Sequence, residues 1–170
     1  MTKRRREITM AGILTGLAIV LQVLPGLLST QAVLLTVLSA LPIFIITRIQ
    51  PILGPLAYWL AGLLLFVVAP QQSVFFILVN GPLGVLLGIG PLYSGDNRLI
   101  SLITGMVVAI NVGIILFGFQ VQIFGAWLMG PLALQMAILA LISFLFCYAY
   151  LRLANLVLKQ PFLEHQINVG

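Results

Sequence analysis

The chain is poor in charge. Of its 170 residues only 6% are charged, eight Lys and Arg against three Asp and Glu, while 62% are hydrophobic. A water-soluble domain of this size has no core large enough to bury that much apolar surface. Cysteine and histidine are just as scarce, with one of each. The lone Cys147 excludes an internal disulfide and reads as a small buried hydrophobe. His165 sits beside Glu164 in the tail, too few ligands to hold a metal, so neither metal nor cofactor is expected. No nucleophile–base pair and no acid pair is visible, so no residue is assigned as catalytic and the chain is not expected to be an enzyme. It also lacks a GxxxxGK[ST] loop and does not hydrolyse ATP by itself. Basic stripes with interleaved aromatics are missing, which argues against nucleic acid despite the formal charge of +5.

What the chain has in abundance is long apolar runs, each near the ~20 residues that cross a bilayer. Nothing alternates polar with apolar, so a β-barrel is excluded. The expected fold is all-α, a polytopic membrane protein forming a six-transmembrane-helix bundle, with residues 1–170 as one integral membrane domain. Breaks at Pro, Gly, Gln and charge place the helices near 8–28, 33–47, 52–69, 74–92, 99–119 and 132–151. Pro42 interrupts the second, which is short and expected to tilt or kink. The basic N-terminus resembles a signal peptide, but the apolar run from Ile8 to Leu28 is too long and no A-x-A site follows it. A retained helix is expected.

Cation placement orients the bundle. Lys3, Arg4, Arg5, Arg6, Arg48, Arg98, Arg152 and Lys159 all fall in segments that lie on one side if the chain crosses six times. The positive-inside rule then puts both termini in the cytoplasm. The aromatic Tyr58, Trp59, Tyr148 and Tyr150 read as interfacial belt residues on that inner side.

No ionisable Asp, Glu, Lys, Arg or His lies within a predicted span, which argues against proton relays and ion pumps. The strong polar groups there are the amides Gln22, Asn80, Asn111 and Gln135. At about 1.5 Å per residue, all four fall roughly 5–12 Å below the outer surface. Asn80, Gly84 and Gly88 share a helical face, as do Thr104, Asn111 and Gly118, and as do Ala11, Thr15, Ala18 and Gln22. Pro82 removes an N–H and strips the carbonyl of Leu78 of its helical partner. Two readings stay open. The amides and that carbonyl line a shallow outward pocket for an uncharged ligand, or the amides are interhelical glue with Pro82 a kink; the loop around Trp127 is either an interfacial anchor or a cap on that pocket.

The opening "RREITMAGILTGLAIVLQ", the segment "LPIFIITRIQPILGPLAYWLAGLLL" and the later "NGPLGVLLG" resemble the substrate-binding S components of energy-coupling factor transporters. That resemblance implies a small-molecule, vitamin-like substrate bound toward the outside, and docking on a transmembrane T component driven by two ATPase subunits. It also implies that small residues of the first helix face the T component, here Ala11 and Thr15 with Gly12 and Gly16 alongside. Thr15 departs from the family's AxxxA spacing, which occurs instead at Ala57 and Ala61. The competing expectation is a non-transporting membrane scaffold similar to MreD-type cell-shape proteins.

Overall fold

A computed structural model describes residues 3–28, 36–118 and 132–158. The Trp127 segment and the tail with Lys159 and His165 lie outside the described residues. Every described element is helical: α1 (Lys3–Leu28), α2 (Ala40–Ile49), α3 (Leu53–Val68), α4 (Pro70–Phe75), α5 (Gly81–Tyr93), α6 (Asn97–Gly113) and α7 (Leu132–Leu158). A π-turn over Phe76–Asn80 joins α4 to α5 as one continuous rod, and a second π-turn over Ile114–Gly118 ends α6.

Among the described residues, four helical stretches are long and apolar enough to cross a membrane: Arg5–Pro25, Pro70–Tyr93, Asn97–Leu116 and Ala133–Leu156. Thr36–Ile49 and Leu53–Val68 are shorter. Outward faces carry Ile13 at 68%, Val67 at 81% and Leu153 at 62% exposure, a surface that water would not tolerate and lipid favours. The chain is a membrane-embedded helical protein.

The short α2 is short for a reason. Ala40, Pro42, Ile43, Phe44, Ile45, Ile46 and Thr47 are all buried, so this helix is apolar all round and sits at the centre of the bundle. Pro42, expected to tilt or kink the stretch, falls early in α2. The stretch begins as a 3₁₀ turn over 36–39, and α2 starts at Ala40, which leaves Pro42 in the first turn. An N–H missing there breaks no helical bond, because first-turn donors have no partner within the helix.

Two glycines set the distance between α2 and α5. A Cβ on Gly84 would lie 2.6 Å from the carbonyl oxygen of Ala40, and one on Gly88 would lie 2.6 Å from Thr47 Cβ. The expected GxxxG contact is therefore made, and made against the central helix. Residue numbers rise together along this contact, so α2 and α5 run parallel, and α3, which links them in sequence, returns in the opposite direction.

The same kind of contact fixes the remaining directions. Gly90 backs onto Ile100, and a Cβ on Gly105 would meet the backbone of Phe144 at 2.9 Å. Glu7, Met10 and Ala11 of α1 border a cleft with Ile49, Gln50 and Leu53. These registers bring the start of α1, the end of α2, the start of α6 and the end of α7 to one end of the bundle. Arg5, Arg6, Arg48, Arg98 and Arg152 are carried there by sequence position alone.

Candidate functional site

The polar groups gather in the opposite half, around the π-turn. Gln22 of α1 is 1% exposed, Ser39 before α2 is 0% and Asn80 is 3%. Gln22 Oε1 accepts from Asn80 Nδ2 at 2.8 Å and from Ser39 Oγ at 2.7 Å. Asn80 Nδ2 spends its second hydrogen on the Thr36 carbonyl at 3.0 Å. Gln22 Nε2 donates to the Gln72 carbonyl at 3.3 Å. One amide pair thus ties α1, the turn into α2, and the α4–π-turn rod together.

The π-turn explains the next two contacts. Gly81 N–H bonds the Phe76 carbonyl, five residues back, where an α-helix would reach four. The next donor in either register would be residue 82, and Pro82 has no N–H. In the π register the carbonyl left over is that of Ile77, and in the α register it is that of Leu78. Both receive side-chain donors from neighbouring helices. Tyr58 OH donates to the Ile77 carbonyl at 2.9 Å, and Asn111 Nδ2 donates to the Leu78 carbonyl at 2.7 Å.

Gly81 makes the first of these possible. A Cβ there would overlap the Tyr58 ring, which lies flat against the glycine on its way to Ile77. Backbone without side chain is what lets an aromatic from α3 approach so closely.

Of the predicted site residues, the structure brings Gln22 and Asn80 into direct contact and places Asn111 on the carbonyl of Leu78. Gln135 lies on the first turn of α7, half-buried and near Met136, which packs against Gly113 of α6. Trp127 lies outside the described residues. Most of the donors in this layer are spent on the protein itself. Gln72 Oε1 is different: it is a buried acceptor with no hydrogen-bond partner among the described residues. Leaving such an atom unpaired costs about 1–3 kcal/mol.

The predicted docking residues split between two directions. Thr15 is 4% exposed and donates to the Ala11 carbonyl at 2.7 Å, and Ala11 packs against the core with Leu14. Gly12 and Gly16 look outward, with nothing within 4 Å of an added Cβ. Ala11 and Thr15 therefore do not share an outward face with them, because α1 turns that side onto α2 and α3.

Two belt expectations are also corrected. Tyr58 serves the π-turn, and Tyr150 is 7% exposed within the core. Tyr148 and Trp59 remain toward the outside. Ser39, Thr36 and Gln72 were not singled out from sequence, and Tyr58 was read only as a belt residue. For Tyr58, the signal available was Gly81 beside Pro82, a glycine next to a stripped carbonyl. Ser39 and Gln72 carried none.

Among the described residues no cluster of His, Cys, Asp or Glu is suited to a metal. Comparison with protein-family models, with curated proteins and with solved structures finds no match. The resemblance to S components thus stands on residue pattern.

Proposed function

We propose that this chain is a membrane-embedded substrate-binding subunit for uptake of a small, neutral, vitamin-like micronutrient. In this reading it spans the cell membrane of a prokaryote six times with both termini cytoplasmic. A transmembrane T component and two partner ATPases supply the energy. The observation that carries it is the division of the bundle into two ends. Arginines collect at one, and an uncharged, buried amide layer lies toward the other, with Gln72 Oε1 lacking a donor among the described residues.

A site without fixed charge disfavours charged ligands, whose desolvation costs several kcal/mol with no counter-ion to offset it. A neutral molecule with an N–H or O–H group suits the unpaired acceptor. The Gly12 and Gly16 face of α1 is the part of the expected docking surface that stays open to a T component.

A specific observation favours a second reading, the non-transporting scaffold. Gln22, Asn80 and Asn111 direct their N–H groups at other parts of the chain, which is what glue between helices does.

The experiment is purification in mild detergent followed by mass spectrometry of co-purifying small molecules. The uptake reading expects a neutral compound at near-stoichiometric occupancy, lost in Gln72→Met at unchanged thermal midpoint. Empty protein from ligand-replete membranes, or equal retention by Gln72→Met, favours the scaffold. Gly16→Leu is expected to prevent co-purification of a T component without affecting ligand retention.

A further inference from the structure

The arginine end holds a feature that the uptake reading does not use. Arg98 opens α6 and heads a stripe of exposed residues spaced four apart: Leu102, Met106, Ile110 and Ile114. Arg152 heads a matching stripe on α7, in which Leu145 and Leu141 are 56% and 59% exposed. The two helices are antiparallel neighbours, locked where Gly105 meets the backbone of Phe144 and Gly113 meets Met136. Arg98 lies two helical turns from Gly105, and Arg152 about the same distance from Phe144 in the matching direction. At about 1.5 Å per residue the two arginines come out level, within roughly 2 Å along the bundle axis.

They also share a side. Ser101, Thr104 and Val108 of α6 and Ser143, Cys147 and Leu151 of α7 turn inward, which leaves both arginine-headed stripes on the outer surface of the pair. Between them stands Tyr148. The Arg152 guanidinium lies 5.2 Å from its ring centroid, and Nη2 donates to the Tyr148 hydroxyl at 2.7 Å. One of five guanidinium donors is thereby used and the side chain is held in place.

Neither guanidinium has an acidic partner among the described residues. Asp96, the nearest acid in sequence, turns a carboxylate oxygen onto the backbone N–H of Arg98 at 2.8 Å and caps α6. Two like charges level with each other, with no acidic partner among the described residues, suit an anion.

We propose that the groove between α6 and α7 binds one anionic glycerophospholipid. Its phosphate sits between Arg98 and Arg152, and its acyl chains lie on Leu102, Met106, Leu141 and Leu145. The apolar bed directly beneath the arginines is what selects a lipid over a free anion. A phosphodiester suits a planar guanidinium fork, and clustered basic residues at the membrane surface favour anionic headgroups by about a kcal/mol each.

The test uses the full chain in detergent, titrated with phosphatidylglycerol or phosphatidylcholine and read by native mass spectrometry. Wild type is expected to retain one phosphatidylglycerol with a preference of about tenfold or more over phosphatidylcholine. Arg98→Gln/Arg152→Gln should bring that preference close to unity at unchanged thermal midpoint. Arg5→Gln/Arg6→Gln, which removes the same charge from α1, should keep it. Tyr148→Phe, which frees Arg152, should lower it by roughly threefold. Equal losses in both double variants would mean diffuse attraction and overturn the site. So would the absence of any preference in wild type, or displacement of the lipid by millimolar inorganic phosphate.

Discussion

The rod from Pro70 to Tyr93 meets the central α2 in two different ways along one face. In its lower part Gly84 and Gly88 remove side chains, so that backbone packs on backbone at Ala40 and Phe44. In its upper part Asn80 stands on the same face and bonds the Thr36 carbonyl. Thr36, Ala40 and Phe44 are spaced four apart, as are their partners Asn80, Gly84 and Gly88. In lipid there is no hydrophobic drive to bring helices together, so close packing and hydrogen bonds do that work. The glycines act by shape, and a substitution there has nowhere to go. The amide acts through a bond that lipid cannot replace, and its loss is partly compensated by its neighbours.

That contrast is sharpest in the largest expected effect. Gly84→Leu places a side chain against the Ala40 carbonyl and should destabilise by about 3 kcal/mol, read as a large fall in the thermal midpoint in detergent. Gly12→Leu, which adds the same atoms in open space, should leave the midpoint unchanged. A similar drop in both would mean that glycine's role here is not close approach.

The upper contact should cost less to break. Asn80→Leu takes a donor from both Gln22 Oε1 and the Thr36 carbonyl and should cost about 2 kcal/mol. In a cycle with Gln22→Met, the coupling should be about 0.6 kcal/mol, the average for hydrogen bonds between membrane helices, and no more than about 1.7 kcal/mol. No coupling would dissolve the pair. Tyr58→Phe removes a single hydroxyl from the Ile77 carbonyl and should cost about 1 kcal/mol.

The smallest effect carries the functional contrast. Gln72→Met removes an acceptor that has no partner among the described residues, so the ligand-free protein should be unchanged or more stable by up to about 1 kcal/mol. A clear loss of stability would mean that the acceptor is already satisfied.

The parts legible in sequence were those that depend on periodicity and charge. The helical stretches, the Asn80–Gly84–Gly88 face and the clustering of Arg48, Arg98 and Arg152 follow from spacing and from where cations are tolerated. The stripped carbonyl of Leu78 was also readable, because proline's missing N–H is a covalent fact. Its partner Asn111 was visible as an amide at the right depth, but the bond between them was not.

The π-turn left no trace in composition. Shifting one hydrogen bond from four to five residues changes no hydrophobic pattern in a run as uniform as "FFILVN". For the same reason the second stripped carbonyl, that of Ile77, and its donor Tyr58 went unread. A tyrosine near a helix end looks alike whether it faces the interface or a neighbour. Thr15 turned inward because it bonds its own helix at Ala11 and so buries no unpaired hydroxyl, which small-residue spacing does not reveal.

The claim beneath the rest is that Pro82 strips backbone carbonyls and that side chains from other helices replace the missing donor. A double-mutant cycle between Pro82→Ala and Asn111→Leu measures it directly, with thermal or denaturant unfolding in detergent as the readout. Asn111→Leu should cost about 1–3 kcal/mol in the wild-type background and less than half of that once residue 82 supplies its own N–H. An equal cost in both backgrounds would contradict the account, because Asn111 would then be serving something other than the carbonyl that proline left bare.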